Sequence, residues 1–447
     1  MRRSPIAWIL ALSFVAACSG DDSLTPVDAP STSESTDSPT TTYAEVANPA
    51  SQFCALQGGT IEVVAEGQEY VSYCLLPNGD RVEENLYFET NKPKDVKAAL
   101  PILTIEDRTT GWYPALEIGA DGNPVISHHD REKGDLLVTH CDNPECSSAT
   151  TTNFDLDGEI GLYTSITIGQ DDLALIAHQD RTNGDLLVTR CENPSCTSAS
   201  TVVVASEGDV GWDPSIMIGS DGLPIISHHD NSSGYLLITH CDTADCSQAT
   251  TSIGDDSAEV GWYTSITKDS LGNPVVSHRD ETNDDLRVTY CRNVSCTETT
   301  SATVDSEGDV GLETSIALAP DGLPVIAHFD FTRVTLRVTK CQTNDCSKST
   351  TTAVTSILNS GKSPSIVIGT LGFPIIAHVD VDDSGIWFTE CQDETCGTSI
   401  TTFIDNVSSS QVSLKLGKEL MPVVASDTKG AKGLRLIRCN DFNCAES

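Results

Sequence analysis

Gly134-Asp135-Leu136-Leu137-Val138-Thr139-His140-Cys141-Asp142-Asn143-Pro144-Glu145-Cys146 returns fifty residues later as Gly184-Asp185-Leu186-Leu187-Val188-Thr189-Arg190-Cys191-Glu192-Asn193-Pro194-Ser195-Cys196. The closing C-x4-C recurs as Cys141/Cys146, Cys191/Cys196, Cys241/Cys246, Cys291/Cys296, Cys341/Cys346, Cys391/Cys396 and Cys439/Cys444, and only the last interval is shorter. A fixed period near fifty marks a repeat architecture. Within one repeat, Tyr113–Gly119, Val125–His129, Leu136–Cys141 and Ala149–Phe154 read as four short strands joined by tight turns. Asp121-Gly122 supplies one turn, and Pro124 stands at a strand start, where a proline is tolerated. Four strands every fifty residues predict an all-β chain: a seven-bladed β-propeller of four-stranded blades. Apolar residues on both faces of the middle strands suit sheets covered on both sides. A β-solenoid is the competing reading, but its coils are usually shorter.

The seventh repeat ends at Ser447 without a fourth strand. In register, Ile102-Leu103-Thr104-Ile105 aligns with a fourth strand, so this N-terminal segment is expected to complete the last blade and remove an open edge.

The chain has 447 residues and 17 cysteines, fourteen of them in the repeats. Arg2 and Arg3 precede a short apolar run, Ile6–Val15, and then Val15-Ala16-Ala17-Cys18. This resembles the bacterial lipobox, which implies removal of residues 1–17, acylation of Cys18 and a lipid anchor in the membrane. Ser19 lacks the Asp that retains some lipoproteins at an inner membrane, which favours the outer membrane or cell surface. Residues 18–47 are rich in Ser, Thr, Asp and Pro and read as a disordered tether. An exported compartment permits disulfides, so Cys54/Cys74 and the seven C-x4-C pairs read as bridges. The seven are expected to clasp the loops between third and fourth strands, where proteases attack. Zinc fits poorly, because each repeat offers two cysteines and only His140 and His240 stand beside them.

Residues 48–90 contain Asn48-Pro49-Ala50-Ser51, Cys54, Gly58-Gly59, Cys74 and Leu76-Pro77-Asn78-Gly79. The pattern resembles a small bacterial domain of unknown function that carries a hemolysin label; Asn85 stands where that pattern has Trp. Asn78-Gly79 reads as a hairpin turn. Residues 91–100 are a charged connector, and the repeats occupy 101–447.

Lys plus Arg total 26 against 65 Asp plus Glu, a formal net charge of −39. That balance excludes nucleic acid and anionic membrane surfaces as partners and suits cations, basic partners or neutral glycans. It also suits a plain soluble surface outside the cell.

A histidine recurs in the second strands: His128, His178, His228, His278, His328 and His378, with Ser426 in the seventh repeat. Two residues on stand Asp130, Asp180, Asp230, Asp280, Asp330 and Asp380, and Trp112, Trp212 and Trp262 begin first strands nearby. Together they form candidate ligand-binding positions: aromatics stack on sugars, while imidazoles and carboxylates bond hydroxyls or a cation such as Ca2+. The competing reading is structural, with each Asp capping its own turn and each His bonding a neighbour.

The blades, as in Gly122-Asn123-Pro124-Val125-Ile126-Ser127-His128-His129-Asp130, resemble a bacterial family of tandem G-x-P-V-I-S-Y-x-D repeats with paired cysteines, here with His for Tyr. More distantly they are similar to sialidase-type propellers. That likeness implies glycan chemistry, but no arginine cluster for a carboxylated sugar is present: Arg131, Arg181 and Arg279 do not share one repeat position. No G-x-S-x-G, H-E-x-x-H or phosphate loop occurs. The expectation is a monomeric, non-catalytic envelope protein that binds glycans or proteins, with a glycan hydrolase and a structural envelope component as alternatives.

Overall fold

The computed structural model describes residues 54, 59–66, 69–83, 86–87, 103–104, 110–154, 156–354, 359–383, 385–428, 433–440 and 444. The leader, Cys18, the tether and the connector lie outside them. No helix among the described residues is long and apolar enough to cross a membrane.

Thr60–Glu66, Glu69–Leu75 and Arg81–Glu83 form a three-stranded antiparallel meander. Cys54 and Cys74 are bridged, with Cα atoms 5.7 Å apart. Gly59 lies so close to both sulfurs that a Cβ there would meet them at 2.7 and 2.8 Å. The turn into the third strand carries Asn78-Gly79: Asn78 Oδ1 accepts from the Asp80 N–H, and Gly79 takes φ +90°.

The repeats build seven four-stranded antiparallel sheets in a propeller-like array. The first contains Trp112–Ile118, Pro124–Asp130, Asp135–Cys141 and Ala149–Phe154, in that order. The seventh contains Val412–Leu416, Pro422–Thr428, Gly433–Arg438 and, as its fourth strand, Leu103–Thr104. The last sheet therefore draws its outermost strand from before the first repeat.

Middle strands such as Pro124–Asp130 and Asp135–Cys141 are buried along their whole length, whereas Ala149–Phe154 alternates towards solvent. Their continuous apolar runs have this cause: each face meets a neighbouring sheet. The hydrophobic core is accordingly divided into layers between sheets. Leu175, Val188, Ile226 and Leu237 pack together from the second and third sheets. Leu116 and Ile126 of the first pack with Val423 and Leu436 of the seventh.

Two devices join the sheets. A serine in most first strands accepts the backbone N–H of the next first strand: Ser165 from Ile216, Ser215 from Ile266, Ser265 from Ile316, Ser315 from Ile366 and Ser365 from Leu414. Ser413 accepts from Leu116 and so links the seventh sheet to the first. Glycines set the spacing. A Cβ on Gly211 would stand 2.9 Å from Leu186 Cα, and one on Gly111 would stand 2.6 Å from Leu434 N. Both take φ near +80 to +90°, where a side chain is strained as well as crowded.

All seven C-x4-C pairs are bridged, each closing the loop after a third strand: Cys141–Cys146, Cys191–Cys196, Cys241–Cys246, Cys291–Cys296, Cys341–Cys346, Cys391–Cys396 and Cys439–Cys444, across Cα distances of 4.7–4.9 Å. Their place differs from that of simple loop clasps. The second cysteine of each pair takes φ of 48–56° and turns inward, so that Cys146, Cys196, Cys246, Cys296, Cys346, Cys396 and Cys444 are at most 2% exposed. Cys296 joins the core layer of Ile225, Ile238 and Val276, and Cys346 that of Val288, Ile316 and Ile326. Cys396 joins Val325, Val338 and Ile376, and Cys444 joins Phe388, Leu414 and Ile437. The bridges therefore add apolar volume between sheets as well as closing loops. A sulfur pair behaves as a small hydrophobe, and this is the physical reason the loop folds inward over it.

At the Asp-Gly turns, the residue before the first cysteine reaches back to the turn aspartate. His140 bonds Asp121, His240 bonds Asp221 and Lys340 bonds Asp321, at 2.8–2.9 Å.

Candidate functional site at the array axis

The recurrent histidines are completely or almost completely buried. Nδ1 of His128, His228, His278 and His328 accepts the N–H of Gly111, Gly211, Gly261 and Gly311 at 3.1–3.3 Å; Nδ1 of His378 meets Ser360 Oγ instead. In those four, Nε2 therefore carries the proton and donates to Thr139, Thr239, Thr289 and Thr339, and His378 Nε2 pairs with Thr389 Oγ1. The chain continues to Thr151, Thr251, Ser301, Thr351 and Thr401. His178 keeps the threonine bond to Thr189 and has no Nδ1 partner among the described residues. Burial pushes the pKa of His128, His178, His228, His328 and His378 down to about 3 and that of His278 to about 4, so all are neutral near pH 7. Buried and used in this way, they cannot meet a ligand; the reading of His128, His178, His228, His278, His328 and His378 as ligand-binding is corrected to an internal role.

The aspartates share that correction. Asp130 Oδ1 accepts from Glu132 and Lys133 N–H, and Asp180 Oδ1 from Thr182 and Asn183. Asp230, Asp280 and Asp330 cap the same loop through Ser232, Asn283 and Arg333. Asp380 is partnered as well. An Asp that opens a four-residue turn satisfies that turn's N–H groups.

What the histidines support is more informative than what they could bind. In six sheets the first strand is bulged opposite the histidine. Trp112 pairs with His129 and Ala115 with Ser127, so Tyr113 and Pro114 together face His128. The same break follows Leu162, Trp212, Trp262, Leu312 and Lys362. The seventh sheet has Ser426 instead of His, and there the register runs unbroken from Val412 to Leu416. Bulges re-aim side chains. Here the bulged residue takes a positive φ: Tyr113, Tyr163, Asp213, Tyr263, Glu313 and Ser363 lie at 46–54°.

These residues, one from each of six sheets, line a single pocket of about 400 Å3 together with Trp262 and Gln411. Because consecutive first strands adjoin, the pocket lies where they converge, at the axis of the array. It falls within the roughly 300–1,000 Å3 of small-molecule sites. Much of its lining is aromatic. Tyr113 and Tyr163 ring centroids are 4.5 Å apart, Tyr163 and Trp212 5.6 Å, Trp212 and Trp262 5.9 Å, and Trp262 and Tyr263 6.5 Å. Trp262 also stacks on His229 at 4.2 Å.

The predicted tryptophans are thus divided. Trp262 lines the pocket. Trp212 backs it and donates Nε1 to Asp209 Oδ1 at 3.0 Å. Trp112 lies under the Arg131 guanidinium, 4.7 Å from its ring centre.

Two acids alternate with these aromatics in sheet order, Asp213 between Tyr163 and Tyr263, and Glu313 after Tyr263. Asp213 Oδ2 accepts the Tyr263 N–H at 3.1 Å, and Glu313 Oε2 accepts the Ser363 N–H at 2.6 Å. Desolvation in the pocket pushes the Asp213 carboxyl up to about 6, with Glu313 adding repulsion; Glu313 is raised too, again mainly by desolvation. Burial likewise raises the phenols of Tyr113, Tyr163 and Tyr263 above their ordinary value, so all three are neutral donors. Asp213 Oδ1 and Glu313 Oε1 receive no hydrogen bond from the described residues. Trp262 Nε1 and Gln411 Oε1 are buried in the lining without a partner among them. No group of three or more His, Cys, Asp or Glu among the described residues is placed to hold a metal ion, so the site offers no ready-made Ca2+ cage.

Sequence reasoning missed Tyr113, Tyr163, Asp213, Tyr263 and Glu313. The signal was present: this one position varies as Tyr, Tyr, Asp, Tyr, Glu and Ser in repeats whose neighbouring strand keeps its His.

Residues 45–91 match the family model described as Domain of unknown function (DUF333). No match was found among curated proteins. Among solved structures, hydrazine synthase of Kuenenia stuttgartiensis is similar with TM-score 0.51 and 12% identity, over 76% of this chain and 99% of that one. The intramolecular trans-sialidase from Ruminococcus gnavus aligns with TM-score 0.47 and 10% identity, over 78% and 98%. The GH93 α-L-arabinofuranosidase of Fusarium graminearum aligns with TM-score 0.45 and 10% identity, over 62% and 92%. At 12% identity the likeness to the hydrazine synthase is one of fold alone.

Proposed function

We propose that this chain is an exported, lipid-anchored protein of the bacterial cell envelope whose seven sheets close as a β-propeller, and that its axial pocket binds a saccharide without turning it over. Cys18 is the acylated residue, residues 18–47 hold the folded parts off the membrane, and the protein acts as a monomer. The observation that supports the binding role is the pocket wall. Tyr113, Tyr163, Trp262 and Tyr263 offer ring faces, the three tyrosines add neutral hydroxyls and Trp262 an indole N–H, and Asp213 and Glu313 accept hydrogen bonds from sugar hydroxyls. Isothermal titration of the mature protein with a panel of neutral and amino-bearing oligosaccharides tests this. Saturable binding that falls about tenfold or more in Tyr163→Ala and Trp262→Ala is expected. A flat titration across the panel would sink the proposal.

One observation favours a second reading. Asp213, pushed up to about 6, shares the pocket with a second carboxyl, Glu313. A protonatable acid paired with another carboxylate is the chemistry of glycoside hydrolysis. Release of chromophore from an aryl-glycoside panel, lost in Asp213→Asn, would replace the binding reading with the hydrolytic one.

A further inference from the structure

We infer that the saccharide taken by the axial pocket carries a positive charge, an ammonium group seated by the Asp213 and Glu313 carboxyls among the ring faces that alternate with them. This rests on the binding reading above and narrows its ligand class. Asp213 and Glu313 each give one oxygen to a neighbouring backbone N–H and leave the other without a bond from the described residues. Among the described residues no lysine or arginine lines the pocket. A neutral sugar would leave the Asp213 carboxylate without a cation beside it near pH 7, whereas a cationic one relieves that cost.

The nearest cations are engaged elsewhere. Arg181 faces Glu159 at 3.8 Å, and Arg279 is held by Glu281, Asp284 and Asp309 at 2.6–2.8 Å. Lys362 pairs with Asp383 at 2.7 Å, and Arg131 covers Trp112. The ring faces of Tyr113, Tyr163, Tyr263 and Trp262 add the attraction of π electrons for a cation. At long range, 65 acidic against 26 basic side chains draw cations towards the molecule and repel anionic sugars.

The test compares two tetrasaccharides of one length: a glucosamine tetramer with permanently trimethylated amines, and its fully N-acetylated counterpart. Binding to the mature protein is measured at pH 7 in low salt. The trimethylated tetramer is expected to bind about tenfold tighter or more. That advantage should shrink in Asp213→Asn and Glu313→Gln, and as pH falls through about 6, where Asp213 takes up its proton. The probe's charge does not change with pH, so the loss reports on the protein. Equal or tighter binding of the N-acetylated tetramer would overturn the inference and leave the saccharide reading standing. An advantage that survives both substitutions would also overturn it. Absence of binding by both tetramers and by the whole oligosaccharide panel would remove both.

Discussion

The histidines that recur at the fifty-residue interval act inside the sheets rather than at their surface. Each is buried and neutral, and all but His178 hold a glycine N–H or a serine on one side and a threonine hydroxyl on the other. Replacing His228 by Phe leaves Gly211 N–H and Thr239 Oγ1 without their partner, which should cost about 1–3 kcal/mol in urea unfolding at pH 7. The same six groups make the fold acid-sensitive. In the unfolded chain they take up protons below about 6.5, whereas in the folded chain they refuse them until about 3–4. The unfolded state therefore binds more protons across that window, and stability is lost as pH falls through it. Midpoints from chemical unfolding at pH 7, 5.5 and 4.5 should decline in that order. Asp213 has the opposite sign. Its folded pKa of about 6 exceeds the ordinary carboxylate value, so it disfavours the fold above pH 6. Asp213→Asn should raise the thermal midpoint at pH 7.5 while lowering affinity for the cationic tetramer; a lower midpoint would contradict the assigned desolvation.

Within a single sheet, the bulge and the disulfide loop occupy opposite ends. The bulge depends on the histidine beside it, as the unbulged seventh sheet with Ser426 illustrates. The loop at Cys241–Cys246 is closed by its bridge and by Asp245, whose carboxyl accepts from Thr243 and Ser247 and is held down to about 2 mainly by those two bonds. Removing that bridge with Cys241→Ala and Cys246→Ala should cost about 2 kcal/mol by the chain-entropy relation for so small a ring, and more where the lost sulfurs leave the core layer underfilled. The midpoint should fall with ligand affinity unchanged, because the loop and the axial pocket lie at different ends of the strands.

For the whole molecule, the contacts between the last sheet and the first are the governing feature. Ser413 to Leu116, Gly111 against Leu434, and Leu103–Thr104 along Gly433–Arg438 tie the last sheet to the first. A chain beginning at Gly111 loses the fourth strand of the seventh sheet and exposes an open edge. It should unfold at lower temperature than a chain beginning at Leu100 and should self-associate as concentration rises. Equal midpoints and a monomeric profile for both would show that the added strand contributes nothing.

Read from the sequence alone, the interval of the cysteines determined the strand count per repeat, the seven repeats, the bridged pairs and the segment that supplies the missing strand. All of these follow from local pattern and register, which a linear chain displays directly. Spacing showed that Cys296, Cys346, Cys396 and Cys444 are bridged, but only the stacking of sheets put their sulfurs in the core. The site was a different matter again. His128 and Asp130 recur as faithfully as any binding residue would, and period alone cannot separate a buried prop from an exposed ligand group. In a strand covered on both faces, alternation does not reveal which side chains reach solvent. Tyr113, Tyr163, Asp213, Tyr263 and Glu313 stand fifty residues apart and share no motif. Only the convergence of first strands at one axis brings them together, and only the low dielectric of that pocket gives Asp213 its raised pKa.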